Sequence, residues 1–240
     1  MDNKNKIILI SSIILALIII VVCIFAINNH KDVTESDALK FKEEYEILNG
    51  QVNNDNKNYP VVDISVDNPI VYSSDESIVN IMKSETTLVY FGYAKCPWCR
   101  NSIEPLLSAL KDNNINKVYY VDIENIRDKY SVNENNEVIK EIDGTSYYQD
   151  ILKYLNKYLD DYVIKDNNGN DINLKEKRLY APTVVAVSNG NIKGIHVATL
   201  DSQNDPYIEL NNDQKNELKD IYSDLIKSLN NDTCTSNGTC

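Results

Sequence analysis

Two cysteines separated by two residues, in Cys96-Pro-Trp-Cys99, carry the clearest chemistry in this 240-residue chain. A thiolate is the nucleophile of disulfide exchange. A second sulfur one helical turn on can close a small disulfide ring and release a bound partner. Leu88 to Phe91 is a short apolar run, β-branched or aromatic and bounded by Gly92, which predicts a buried strand. Pro97 then opens a segment reaching Lys111 in which Ile103, Leu106, Leu107 and Leu110 recur at helical spacing. This order puts the Cys96 sulfur at a helix N-terminus, where free N–H groups and the helix dipole favour the thiolate. Lys95 adds positive charge beside it. Arg100 either does the same or is a solvated helix residue.

The same cysteine spacing serves zinc sites, but those need four ligands, usually two such pairs or neighbouring histidines. His196 is the only histidine in the folded part and falls in a strand, where a packed core residue is expected. No metal is therefore assigned. The remaining cysteines are Cys23, inside an apolar run, and Cys234 and Cys240 near the end. Gly238 permits a tight loop between the last two. They are expected to form a small structural disulfide, the alternative being a second dithiol that exchanges electrons with Cys96–Cys99.

A net charge of −12 argues against nucleic acid as a partner, and 42% hydrophobic residues suffice for a core. Ile7 to Ile27 is apolar without a charge. Its twenty-one residues would span about 31 Å as a helix, matching a bilayer core of roughly 30 Å. Lys4 and Lys6 precede it, which places the N-terminus in the cytoplasm and the rest outside the membrane. An uncleaved anchor is expected. A cleaved signal or lipid anchor is the competitor, though Ala26 makes a poor cleavage site and Val22 a poor neighbour for a lipidated Cys23.

Four regions follow: residues 1–30 as cytoplasmic tip and anchor, 31–58 as a polar stalk, 59–230 as the folded domain, and 231–240 as a tail with its cysteine pair. In the stalk, Ser36 can cap a short amphipathic helix with Leu39, Phe41, Tyr45 and Leu48 on one face. Val61 to Val66 alternates and suits a first strand, Asp75 to Lys83 a helix, and Lys117 to Asp122 a strand parallel to that of Leu88. Asp150 to Leu159 suits a second helix. Thr183 to Val187 and Asn191 to Ala198 flank the hairpin turn Ser188-Asn-Gly190, and Asn211 to Asn230 closes the domain as a helix.

With Cys96-Pro-Trp-Cys99 after a strand and Ala181-Pro182-Thr183 opening a later hairpin, residues 60–230 resemble the thioredoxin superfamily. Within it the chain is most similar to membrane-anchored thioredoxin-like proteins of Gram-positive bacteria, including bacteriocin transport accessory proteins. The resemblance implies an α/β fold, a central mixed sheet flanked by helices, here preceded by one transmembrane helix. It implies that Pro182 is cis and packs on the redox pair, and that Ala181, Pro182, Thr183 and Trp98 form the substrate-binding surface. Three departures stand out. Tyr90 and Val118 replace the buried carboxylate and lysine of thioredoxins proper, the helix proline is displaced to Pro105, and about 124–180 is an insertion. In that insertion a hairpin (Tyr162 to Ile164, Asp171 and Ile172) and a loop from Ile126 to Gly144 are expected. The glutaredoxin-like use of glutathione is disfavoured because Gly190 and Gly194 are separated.

The expected function is a membrane-tethered, extracytoplasmic thiol–disulfide oxidoreductase, with Cys96 attacking and Cys99 resolving. No cofactor is implied. Its partners would be cysteine-containing exported proteins or peptides and a redox partner in the membrane, with the direction of electron flow open. The alternative is a non-catalytic accessory or chaperone-like module for peptide export, built on the same fold.

Overall fold

A computed structural model describes residues 36–230. The expected anchor Ile7–Ile27, Cys23 and the pair Cys234–Cys240 lie outside the described residues. Among the described residues no helix is long and apolar enough to cross a membrane. In chain order the elements are α1 (Asp37–Glu46), β1 (Ile70–Tyr72), α2 (Asp75–Ser84), β2 (Thr86–Gly92), α3 (Pro97–Asp112), β3 (Val118–Asp122), β4 (Lys129–Val132), β5 (Val138–Ile142), α4 (Ser146–Leu155), β6 (Asp161–Lys165), β7 (Asp171–Lys177), β8 (Thr183–Ser188), β9 (Asn191–Val197) and α5 (Asn212–Ser228).

Five strands form one mixed sheet in the order β1-β3-β2-β8-β9. β2 is parallel to β3 and antiparallel to β8, so the strand that leads to Cys96 lies at the centre of the sheet. A strand covered on both faces must be apolar throughout rather than alternating. Thr87 to Gly92 are all buried, as is all of β8. The two-residue period of β2 divides the core. Leu88 and Tyr90 face Phe41, Tyr45, Ile103, Leu106 and Leu218 from α1, α3 and α5. Val89 and Phe91 face Ile78, Met82, Ile151 and Leu155 from α2 and α4. The β8–β9 turn is closed by Asn189 and Gly190, both at positive φ, as a two-residue hairpin requires.

Three expectations are corrected. Val61 to Val66 is not a strand: Val61 is exposed and Val62 and Ile64 are buried, as alternation demands, but Val66, on the face of Val62 and Ile64, is exposed. Its backbone groups bond to side chains of α1 and the turn after it. Val62 N–H donates to Asn49 Oδ1 (3.1 Å), Asn49 Nδ2 to Val62 O (2.7 Å), Ile64 N–H to Glu46 Oε1 (2.7 Å) and Lys42 Nζ to Ile64 O (2.7 Å). The folded unit therefore begins at α1 rather than near Tyr59, because Phe41 and Tyr45 are fully buried in the core. Finally, the segment expected as a loop from Ile126 contains the β4–β5 hairpin. The β6–β7 hairpin forms as expected, and Asn167 ties the two tips together by bonding Asn136 Oδ1 (3.0 Å) and Asn133 O (2.8 Å).

Arg100 locks α1 to the start of α3. It is only 2% exposed. Its Nε donates to Pro60 O (2.6 Å), Nη1 to Tyr45 O (2.7 Å) and Ala94 O (3.3 Å), and Nη2 to Asn49 Oδ1 (2.7 Å). A guanidinium can be buried when most of its planar donors are matched, here four of its five N–H groups. Arg100→Met keeps the aliphatic stem but removes the donor from Pro60 O, Tyr45 O, Ala94 O and Asn49 Oδ1, of which Asn49 Oδ1 and Tyr45 O retain a backbone N–H. We expect it to lower the unfolding free energy by about 2–4 kcal/mol, read as a lower urea midpoint. A loss under about 0.5 kcal/mol would show that water replaces the guanidinium at no cost.

Candidate active site

The Cys96 position follows from local backbone chemistry. Proline is pre-set for the first helical position and lacks the N–H that a helix start leaves unpaired. Pro97 fills that position, which makes Cys96 the N-cap of α3. An N-cap side chain accepts from the N–H groups of the first turn. Here the acceptor is sulfur: Cys99 N–H donates to Cys96 Sγ at 3.2 Å. Cys96 N–H is itself held by Tyr93 O (3.1 Å), and its carbonyl accepts from Arg100 N–H (3.0 Å). Both cysteines carry free thiols.

On the other side of the sulfur lies the turn into β8. Ala181–Pro182 is a cis peptide, and Ala181 O accepts from Cys96 Sγ at 3.5 Å. Ala181 is half-buried and Pro182 buried. Pro182 O is bonded by Ala198 N–H (2.8 Å) just past β9. Thr183 is fully buried, and its hydroxyl donates to Tyr180 O (2.7 Å). Its side chain fixes the turn from inside and presents no surface to a substrate, which corrects its expected role. Trp98 is half-buried and borders an open groove of about 580 Å³ with His196, Ala198, Thr199, Leu200 and Ile221. His196 is packed as expected, its Nε2 2.9 Å from Thr199 O and its ring edge-on to Tyr222.

The two sulfurs are electrostatically unlike. Burial pushes the Cys96 thiol up, but the Cys99 thiol, the N–H groups of Cys99 and Trp98 and the charge of Arg127 outweigh it. The net effect is to hold Cys96 below the ordinary thiol range. Cys99 is fully buried, and both burial and the neighbouring Cys96 sulfur push it well above that range. One sulfur is thus favoured as the thiolate and the other as the thiol.

The cation beside Cys96 is not one expected from sequence. Lys95 is paired with Glu124 at 3.0 Å and faces solvent, so its charge is balanced away from the sulfur. Arg100 points into the core, as described. Arg127, just after β3, stacks its guanidinium 4.9 Å from the Tyr93 ring centre, and its Nε is buried without a partner. No local pattern marks Arg127, because its position depends on the path of the chain between β3 and β4.

Cys96 alkylation by iodoacetamide should rise with pH and level off below the ordinary thiol pKa of about 8.5, while Cys99 stays unmodified. Arg127→Gln should move the Cys96 profile to higher pH, followed as thiolate absorbance near 240 nm. An unmoved profile would remove Arg127 from the site. No protein-family model and no curated protein matches the chain.

Proposed function

We propose that this chain is a thiol–disulfide oxidoreductase with a thioredoxin-like fold. In this reading Ile7–Ile27 tethers it to the membrane with the redox domain outside the cytoplasm, where it acts on cysteine-containing exported proteins. The observation that carries the reading is the Cys96 sulfur at the α3 N-terminus, bonded by Cys99 N–H and lying against Ala181 O before Pro182. The sheet order, with parallel β1, β3 and β2 and antiparallel β8 and β9, supports the same fold.

The Cys96 thiolate attacks one sulfur of a client disulfide. A mixed disulfide forms and the other client sulfur leaves as a thiolate. Cys99 then attacks Cys96 Sγ, which closes the Cys96–Cys99 disulfide and releases the second client thiolate. Two electrons pass to the client, and the reverse sequence oxidises a client dithiol. The open groove beside Trp98, two residues past Cys96, gives an extended client segment a place to lie. The full-length chain in detergent should reduce insulin or reoxidise reduced, unfolded RNase. Cys96→Ser should abolish that activity, and Cys99→Ser should accumulate client mixed disulfides. Activity in neither assay, with no trapped clients, would favour the non-catalytic accessory module instead.

A further inference from the structure

Two segments frame the Cys96 sulfur, and both run into one open groove. Cys96 Sγ lies 3.5 Å from Ala181 O, and the next carbonyl, Pro182 O, accepts from Ala198 N–H at 2.8 Å. Ala198 lines the groove from that side and Trp98, two residues past Cys96, from the other, with Leu200 and Ile221 adding apolar surface. Most polar side chains of the groove are bonded within the domain. His196 Nε2 lies 2.9 Å from Thr199 O, and Thr199 Oγ1 donates to Gln203 Oε1 at 2.5 Å. Gln203 Nε2 donates to Ile208 O (3.0 Å), and Ser202 Oγ accepts from Gln214 Nε2 (3.1 Å). Two carboxylates differ. Asp201 and Glu217 line the groove, both are exposed, and neither carboxylate has a hydrogen bond or ion pair among the described residues.

Their neighbours do not neutralise them. The residues three and four positions from Glu217 along α5 are Asp213, Gln214, Asp220 and Ile221. The lysines nearest it in the helix turn to α3 instead, Lys215 to Glu104 and Lys219 to Asp112, each at 2.5 Å. Asp201 sits inside a turn closed by Gln203 N–H on Leu200 O (3.0 Å), and the Ser202–Gln214 bond fastens that turn to the start of α5. Gln214 shares a helix face with Glu217, so both carboxylates stand at one rim. Among the described residues no lysine or arginine lines the groove. Arg127 follows β3, on the other side of β2 from the β9 edge where the groove lies.

An apolar floor with carboxylates at its rim matches one kind of side chain, a long apolar stem that ends in a cation. The Trp98 ring adds a face on which such a cation can rest. An anionic segment would meet repulsion from the rim and from a chain of net charge −12. We propose that this groove selects clients whose cysteine is flanked by lysine or arginine, with Asp201 and Glu217 as the specificity-determining residues. The selection rests on the redox reading and names its client class. Carboxylates this exposed act through long-range attraction, so the preference belongs to the association rate and fades with salt.

The test uses the full-length chain in detergent carrying Cys23→Ser, Cys234→Ser and Cys240→Ser, so that only the redox pair reacts. Reduced protein meets an excess of a short peptide whose single cysteine is a 2-pyridyl disulfide flanked by lysine, glutamine or glutamate. The Cys96 thiolate bonds the peptide sulfur, the peptide–pyridyl S–S bond breaks, and pyridine-2-thione leaves with the electron pair, which its absorbance reports. Cys99 then closes the Cys96–Cys99 disulfide and releases the peptide thiolate. Dividing each rate by that of the same peptide with 2-mercaptoethanol removes its intrinsic reactivity. At low salt the lysine peptide should react about fivefold faster than the glutamine peptide, with the glutamate peptide slowest, and high salt should shrink the differences. Asp201→Asn with Glu217→Gln should bring the lysine peptide to within about twofold of the glutamine peptide, whose own rate stays unchanged. Asp201→Lys with Glu217→Lys should invert the order. Equal parent rates for the three peptides, or a lysine preference that survives in either double variant, would overturn the selection. Release of peptide by Cys99 in that case would leave the redox reading standing. A parent that forms no mixed disulfide, or releases no peptide from it, would end the redox reading and the selection with it.

Discussion

The site depends on a sulfur occupying the N-cap of α3, where an oxygen is the usual acceptor. Everything around it serves that placement. β2 delivers the chain to the end of the sheet, Pro97 starts the helix without an unpaired N–H, and the Cys99 N–H reaches back to Cys96 Sγ. The same turn buries Cys99 directly below. A four-residue segment therefore produces two thiols with opposite tendencies, one favoured as thiolate by donors and a nearby cation, the other kept protonated by burial.

Holding that segment still requires the N-terminal helix. α1 supplies Phe41 and Tyr45 to the core and, with the turn that follows, the acceptors Tyr45 O and Asn49 Oδ1 for Arg100, one turn past Cys96. It also supplies Glu44, whose carboxylate accepts from the hydroxyls of Tyr120 and Tyr72. The element that reads in sequence as part of a stalk is thus continuous with the site. The two hairpins before β8 form a separate annex joined at their tips, and Arg178 anchors its base by donating to Asp128 O at 2.6 Å.

Elements with apolar continuity or clear end signals were legible in the sequence: β2, α3, β3, the β8–β9 hairpin and α5 lie close to where periodicity and turn chemistry put them. Cys96, Cys99, Ala181 and Pro182 converge as expected. What was not legible depends on pairing in space. Val61 to Val66 has the strand period, yet side chains of α1 and the turn after it meet its backbone groups. Phe41 and Tyr45 form an amphipathic face whose depth of burial no local pattern specifies. Arg100 reads as a surface cation until Pro60, Tyr45 and Asn49 surround it, and Arg127 has no motif. Tyr90 was visible as a departure from an expected acid, but its hydroxyl partner Tyr45 and its stacked neighbour Tyr120 come from α1 and β3, elements distant in sequence.

The most direct test is the equilibrium of the Cys96–Cys99 pair with a glutathione or dithiothreitol buffer. A working redox dithiol should close reversibly into one intramolecular disulfide with a potential between about −270 and −120 mV, the span of catalytic pairs. Failure to form that disulfide, or a potential below about −300 mV, as expected of a structural bridge, would contradict the account.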